Sequence, residues 1–328
     1  MGDSVFGLSS VQYIKSQFPE AKVTYAIPKW IVPLYQNLKS AVDNFYELDL
    51  KGVSGQLHFY YFLMKKKFDL VIELHESARS TRILKFASLV GSFPYESHNH
   101  HLDRFSGTGV FDQGIRKSII QRDLDGVYSA LLKYGRKDLD YGEYLDYGPS
   151  LSLELEKQNQ VTLGIVATRV EKKWPISSYV ELTKKLFEYN PDLKVVIPVS
   201  KGTDDQNQKK EFLNLLNDKR VEFIEKGLAE VPKTLSQSKL YIGNDTGLKH
   251  ISAALGVKTV TIFGPEEPLE WHPYDYYAHP FFWVYGSDVR STPAPCSLLQ
   301  QFDRSIDISD IKPEEVSTVC IDLLEKMS

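Results

Sequence analysis

Two hydrophobic periods alternate along this chain. Residues 23–27, 41–48 and 70–74 are short β-rich runs. Helical patterns alternate with them, the first over residues 4–17. That alternation predicts a parallel α/β domain over residues 1–130. Periodicity fades over residues 134–160, where Gly135, Gly142, Gly148 and Pro149 sit among many charges. The domain junction is placed there, giving one domain at 1–150 and a second at 151–328. Beyond it, residues 161–167, 194–199, 221–224, 240–243 and 259–263 form a second set of β-rich runs. Helices are expected between them, the longest over 177–189, opened by Ser177 and ended before Asn190-Pro191. A closing helix over 312–326 places Val316, Val319, Cys320, Leu323 and Leu324 on one face.

The densest information lies in residues 241–275. A short buried strand is followed by Asn244-Asp245-Thr246-Gly247, three helix-capping side chains and a residue that allows a tight turn. Leu248, Ile251 and Leu255 then recur at helical spacing, Gly256 ends the helix, and a second strand begins. Strand, helix and strand this close together predict a parallel βαβ unit, whose turn lies in the crevice where such sheets bind ligands. The free N–H groups of the new helix suit a phosphate, with no Walker lysine.

Composition narrows the class without naming it. A chain of 328 residues is long for one core and natural for two domains. Apolar content of 42% and charge of 25% are those of a globular protein, and a net charge of −4 argues against nucleic-acid partners. No apolar run reaches the roughly 20 residues that span a bilayer, and the start does not read as a signal peptide. Two cysteines, Cys296 and Cys320, fit a reduced, cytoplasmic setting.

Asp245-Thr246-Gly247-x-x-His250, an Ala-Ala-Leu-Gly helix end and Phe263-Gly264-Pro265 resemble the donor-site motif of the bacterial lipopolysaccharide heptosyltransferase family, glycosyltransferase family 9. Val166 to Pro175, ending in Lys-x-Trp-Pro, resembles that family's loop after the first strand of the C-terminal domain. Gly2-Asp3-Ser4-Val5, Phe18-Pro19-Glu20-Ala21, Phe68 to His75 and Arg79-Ser80 resemble its N-terminal segments, so the likeness spans nearly the whole chain. The resemblance implies a GT-B fold: two Rossmann-like domains with parallel sheets facing across a cleft, the donor mainly on residues 161–305. It implies an inverting transfer of a sugar from a nucleotide-diphosphate donor, ADP-heptose, to a lipid-linked core saccharide of lipopolysaccharide. The enzyme would work at the cytoplasmic face of the inner membrane, where peripheral contact with the bilayer is expected. A non-catalytic nucleotide-sugar-binding protein is the second reading, and a sugar-nucleotide epimerase of the same fold a third.

Roles follow residue by residue. The resemblance assigns Asp3 as the base for the acceptor hydroxyl, against a plain reading as the cap of the helix over 4–17. Lys172 is assigned to the departing phosphate and Thr168 adds a hydroxyl donor, against a solvated charged loop; Lys173 takes the variable position. Thr246 and Gly247 would hold the diphosphate, and Asp245 the sugar hydroxyls. His250, one helical turn on, faces the same crevice or is a packed helix histidine. Asp204, or its neighbour Asp205, is the ribose ligand unless both are helix caps.

Other motifs carry less. His98, His100 and His101 make a poor zinc signature, and no metal or cofactor is implied. Gly107-Thr108-Gly109 lacks a third glycine for a dinucleotide fingerprint. Phe59 to Phe62 followed by Lys65-Lys66-Lys67 fits either a membrane-facing patch or, more simply, a helix burying its aromatics. One departure from the family stands out. Family members open with a strand before the Gly-Asp turn, yet Met1 stands where that strand ends. Either the start is truncated or the N-terminal sheet is rearranged, because neighbouring strands would otherwise lack ladder partners.

Overall fold

The computed structural model describes residues 1–98, 111–112, 115–136, 138–285, 288–290 and 307–327. By contact it divides into two compact units. The first holds residues 1–5, 34–39 and 150–328; the second holds 6–33 and 40–149.

In the first half, α1 (Gly2–Gln17) is followed by β1 (Thr24–Pro28), β2 (Asn44–Leu48), α2 (Gly52–Lys66), β3 (Val71–Glu73), α3 (Ala78–Gly91) and β4 (Tyr95–Ser97). A small hairpin of β5 (Phe111–Asp112) and β6 (Ile115–Arg116) then leads into α4 (Ile119–Lys133). Each expected β-rich run is a strand. They pair two by two, however: β1 lies parallel to β2 from Thr24↔Asn44, and β3 parallel to β4 from Val71↔Tyr95. Among the described residues no ladder joins the two pairs into the single parallel sheet that the alternation implied. What unites them is a shared apolar layer. Tyr46 and Leu48 of β2, Val71 of β3 and Tyr95 of β4 pack with Phe59, Leu63, Leu84 and Phe93 from α2, α3 and the turn after α3.

The second half is more regular. It runs β7 (Gln160–Gly164), α5 (Ile176–Tyr189), β8 (Lys194–Pro198), α6 (Thr203–Leu215), β9 (Val221–Ile224), α7 (Val231–Ser236), β10 (Leu240–Asn244), α8 (Gly247–Ala254) and β11 (Lys258–Ile262). α9 (Pro268–Trp271), β12 (Phe281–Tyr285), β13 (Asp288–Arg290) and α10 (Pro313–Glu325) complete it. The sheet order is β13-β12-β11-β10-β7-β8-β9, parallel except for β13. β7 and β10 are buried along their whole length, as central strands covered on both faces must be.

Alternation along those strands sorts the two faces. Val161, Leu163, Leu240, Ile242, Val260 and Ile262 form the large core with Tyr179, Leu186, Phe212, Val316, Cys320 and Leu323 from α5, α6 and α10. Their neighbours Thr162, Tyr241, Thr259 and Thr261 point to the other side and are also fully buried. The expected βαβ unit is present: β10 pairs in parallel with β11 from Leu240↔Lys258, with α8 against both. No described helix is long and apolar enough to cross a membrane.

Candidate functional site

The site is built where β10 stops. Only Asp245 and Thr246 separate the end of β10 from the start of α8. Asn244, at the strand end, is fully buried and locks the neighbouring loop in place. Its Oδ1 accepts from the Trp174 N–H at 3.0 Å, and its Nδ2 donates to the Ile165 carbonyl at 2.8 Å. Trp174, itself buried, donates from its indole to the Ile311 carbonyl at 2.9 Å. The Lys-x-Trp-Pro loop is thus tied to the strand tip on one side and to the segment leading into α10 on the other.

The loop brings Lys172 to the turn. Lys172 Nζ lies 2.9 Å from Asp245 Oδ2 and 3.8 Å from Glu266 Oε1, and Arg169 also pairs with Glu266. Gly264 makes this approach possible: a Cβ there would stand 2.4 Å from the Glu171 carbonyl oxygen, a clash with backbone. The Phe-Gly-Pro turn after β11 is therefore a packing requirement of the Lys172 loop.

A second lysine, missed in the sequence reading, completes the pair. Lys249 is fully buried and places Nζ 2.6 Å from Asp245 Oδ1, with a further bond of 3.0 Å to the Trp271 carbonyl. Its ammonium also lies 4.5 Å from the centre of the Phe263 ring. Burial alone would raise the Asp245 pKa, but Lys249 and Lys172 outweigh it and hold the carboxyl well below the usual range. Burial pushes Lys249 down to about 8 against the pull of Asp245. The only sequence signal for Lys249 was its i,i+4 spacing from Asp245.

Behind this pair sits a layer of rings. His250 Nδ1 lies 2.7 Å from the Tyr274 hydroxyl, and His272 Nε2 lies 2.6 Å from the His279 carbonyl and so donates to it. Burial, with help from Lys249, keeps the pKa values of His250 and His272 well below normal, so both are neutral. His250 is packed on its helix, with Nε2 4.0 Å from Asp245 Oδ1. The N-terminal residues come up against the same helix: a Cβ on Gly2 would sit 3.2 Å from His250 Cδ2, and one on Gly247 would sit 2.6 Å from Met1 Cε.

The remaining candidates fall as follows. Asp3 is exposed and lies inside the first turn of α1, which begins at Gly2, so the capping position given to it is corrected. Thr246 stands at the N-cap of α8 but its hydroxyl makes no capping bond there, and Asn244 and Asp245 serve other partners than the helix end. The Gly247 and Leu248 N–H groups in the first turn have no partner within the helix. Thr168 is exposed on the loop after β7. Asp204, exposed at the start of α6, is 2.6 Å from Lys173, whereas Asp205 accepts from the Ser200 N–H at 2.7 Å. The N-cap of α6 is Gly202, so neither acid caps it. Adjacent lysines therefore part company, Lys172 to the buried turn and Lys173 to the surface acid. His98 lies 3.2 Å from Asp123 in the buried interior; His100, His101, the Gly-Thr-Gly segment and Cys296 lie outside the described residues. Among the described residues no group of three metal-ligating side chains is assembled.

Known structures place this architecture in a class. The structure of E. coli ADP-heptose LPS heptosyltransferase II aligns with 100% of this chain and 97% of its own, at a TM-score of 0.69 and 19% identity. A glycosyltransferase family 9 structure from Veillonella parvula aligns at a TM-score of 0.72, covering 99% and 95% at 19% identity. The fold is that of the GT-B glycosyltransferases. Residues 58–282 match Glycosyltransferase family 9 (heptosyltransferase), and the chain belongs to that family and is a glycosyltransferase. Among curated relatives, lipopolysaccharide heptosyltransferase 2 of Salmonella typhimurium is 23% identical over 82% of this chain and 81% of its own. Lipooligosaccharide heptosyltransferase 2 of Haemophilus influenzae is 21% identical over 82% of both.

Proposed function

We propose that this glycosyltransferase moves a heptose from ADP-heptose to a lipid-anchored core saccharide of the lipopolysaccharide type, with inversion at the anomeric carbon. The observation that carries the donor site is the buried Asp245 carboxylate held between two lysines at the start of α8. Lys172 and the first N–H groups of α8 offer cationic and dipolar stabilisation to a leaving diphosphate. When Lys172 turns toward that phosphate, Lys249 remains on Asp245, so no buried carboxylate is left without a partner. Thr246 and Gly247 line the same helix start, His250 backs it, Thr168 supplies a hydroxyl from the loop, and Asp204 is the ribose partner once Lys173 yields it.

In this reading the acceptor hydroxyl attacks the anomeric carbon from the face opposite the diphosphate. The new C–O bond forms as the old one breaks, the hydroxyl proton passes to Asp3, and ADP leaves with its charge met by Lys172. A single displacement inverts the centre. The choice of donor is supported by two structures of the E. coli heptosyltransferase WaaC, one with ADP and one with ADP-2-deoxy-2-fluoro heptose. Work on a lipid-anchored acceptor implies contact with the cytoplasmic face of the inner membrane.

The test is Asp3→Asn. Asn keeps the shape of Asp, so ADP release in the presence of ADP-heptose and acceptor is expected to fall about 10²–10⁴-fold at unchanged donor affinity. Undiminished turnover would remove Asp3 from the mechanism.

A further inference from the structure

α2 and α3 pack side by side and bury Phe59, Leu63, Leu84 and Ala87 between and beneath them. Their outward faces are not polar. Val53, Leu57 and Tyr61 form an i, i+4, i+8 stripe along α2, at 72%, 51% and 67% exposure. Phe86, Leu89 and Val90 face outward from α3, all more than half exposed. The half-buried Tyr60 ring joins the two stripes, 5.9 Å from Tyr61 and 5.7 Å from Phe86. This is a continuous apolar surface across two helices, which a soluble protein rarely leaves to water without a use.

Charge says what covers it. The two helices total 29 residues, 15 in α2 and 14 in α3, and contain no Asp or Glu. At the chain's average of 43 acids in 328 residues, about four would be expected. Their charges are all cationic: Lys65 and Lys66 end α2, Lys67 follows at a left-handed C-cap, and α3 adds Arg79, Arg82 and Lys85. Among the described residues none of the six is in a salt bridge, and all six are exposed. Protein–protein interfaces are depleted in lysine, whereas an anionic bilayer takes apolar rings at the headgroup boundary and lysines on its phosphates. Neither signal alone anchors a protein firmly; together they do.

We propose that the α2–α3 face is the docking surface of this protein for an anionic lipid bilayer. It lies flat on the membrane, with Leu57, Tyr61, Phe86 and Leu89 entering the headgroup boundary and Lys65, Lys66 and Lys85 meeting lipid phosphates. This face would make the membrane contact that the proposed function entails, and it is independent of the donor site.

The test is flotation of the full chain with vesicles of phosphatidylcholine, alone or with about a third phosphatidylglycerol. Binding is expected on the anionic vesicles only, and to weaken with salt. Lys65→Glu/Lys66→Glu/Lys85→Glu should abolish it, each lost lysine costing about fivefold in partition. Tyr61→Ser/Phe86→Ser/Leu89→Ser should weaken it at least as much, with an unfolding midpoint close to the parent's because these side chains are exposed. The exposed Lys219→Glu, on neither helix, is the control and should lose no more than about fivefold. A parent that ignores anionic vesicles, or variants that float like the parent, would overturn the proposal. So would a parent dimer that the serine variant converts to monomer without any lipid binding, since the partner would then be a second copy of the chain.

Discussion

At the level of single residues, the Asp245 turn is a buried charge cluster whose stability depends on matched partners. Asp245→Asn would leave Lys249 buried with no counter-charge, and breaking such a pair commonly costs about 3–5 kcal/mol. Urea unfolding should show that loss, and the double variant Asp245→Asn/Lys249→Met should recover much of it, because both charges are then gone. A single variant as stable as the parent would mean that water already solvates the pair. The sequence made Asp245, Thr246, Gly247 and Lys172 legible because each sits in a motif with a fixed spacing. Lys249 was illegible for a physical reason: a lone lysine on a helix reads as solvated, and only the fold shows that Trp271, Phe263 and Asp245 enclose it. The split between Lys172 and Lys173 follows the loop's short 3₁₀ turn, which sends adjacent side chains in different directions.

Among elements, the segment from α8 through α9 to the start of β12 carries a pH dependence of its own. Burial, with Lys249 and Lys258 nearby, pushes His279 down to about 4, while His250 and His272 are held well below normal by burial. In the unfolded chain all three titrate near 6.5. Between pH 6.5 and 4 the unfolded chain therefore binds more protons, so folding stability is lost as pH falls through that window. Asp245 adds a loss from about pH 5 downward, where the unfolded carboxyl begins to protonate. Urea midpoints should drop between about pH 6.5 and 4, and a midpoint flat down to pH 4 would contradict the buried-neutral assignment. Element positions were largely readable from the pattern: β9 lies at 221–224 as expected, and α5 and α10 begin within a residue of their expected starts. Pairing was not readable, because period-two alternation says which face a residue takes and not which neighbour a strand finds. Hence, among the described residues, β1–β2 and β3–β4 form separate pairs where one sheet was expected.

For the molecule as a whole, the C-terminal sheet, parallel except for β13, presents the Asp245 turn at the carboxyl ends of β7 and β10, the position where open α/β sheets place ligands. Family membership and fold make the chain a glycosyltransferase of the heptosyltransferase family, and in the proposed reaction Lys172 meets the donor diphosphate. Calorimetric titration of the full chain with ADP tests that most directly, run on the parent, Lys172→Ala and Lys173→Ala. A charge-assisted phosphate contact is worth about 1.5–3 kcal/mol, so Lys172→Ala should weaken ADP binding by roughly 10- to 150-fold. Lys173→Ala should change it by no more than about threefold, its charge being spent on the exposed Asp204. Equal losses from the two variants, or ADP binding untouched by Lys172→Ala, would contradict the placement of the donor at this turn.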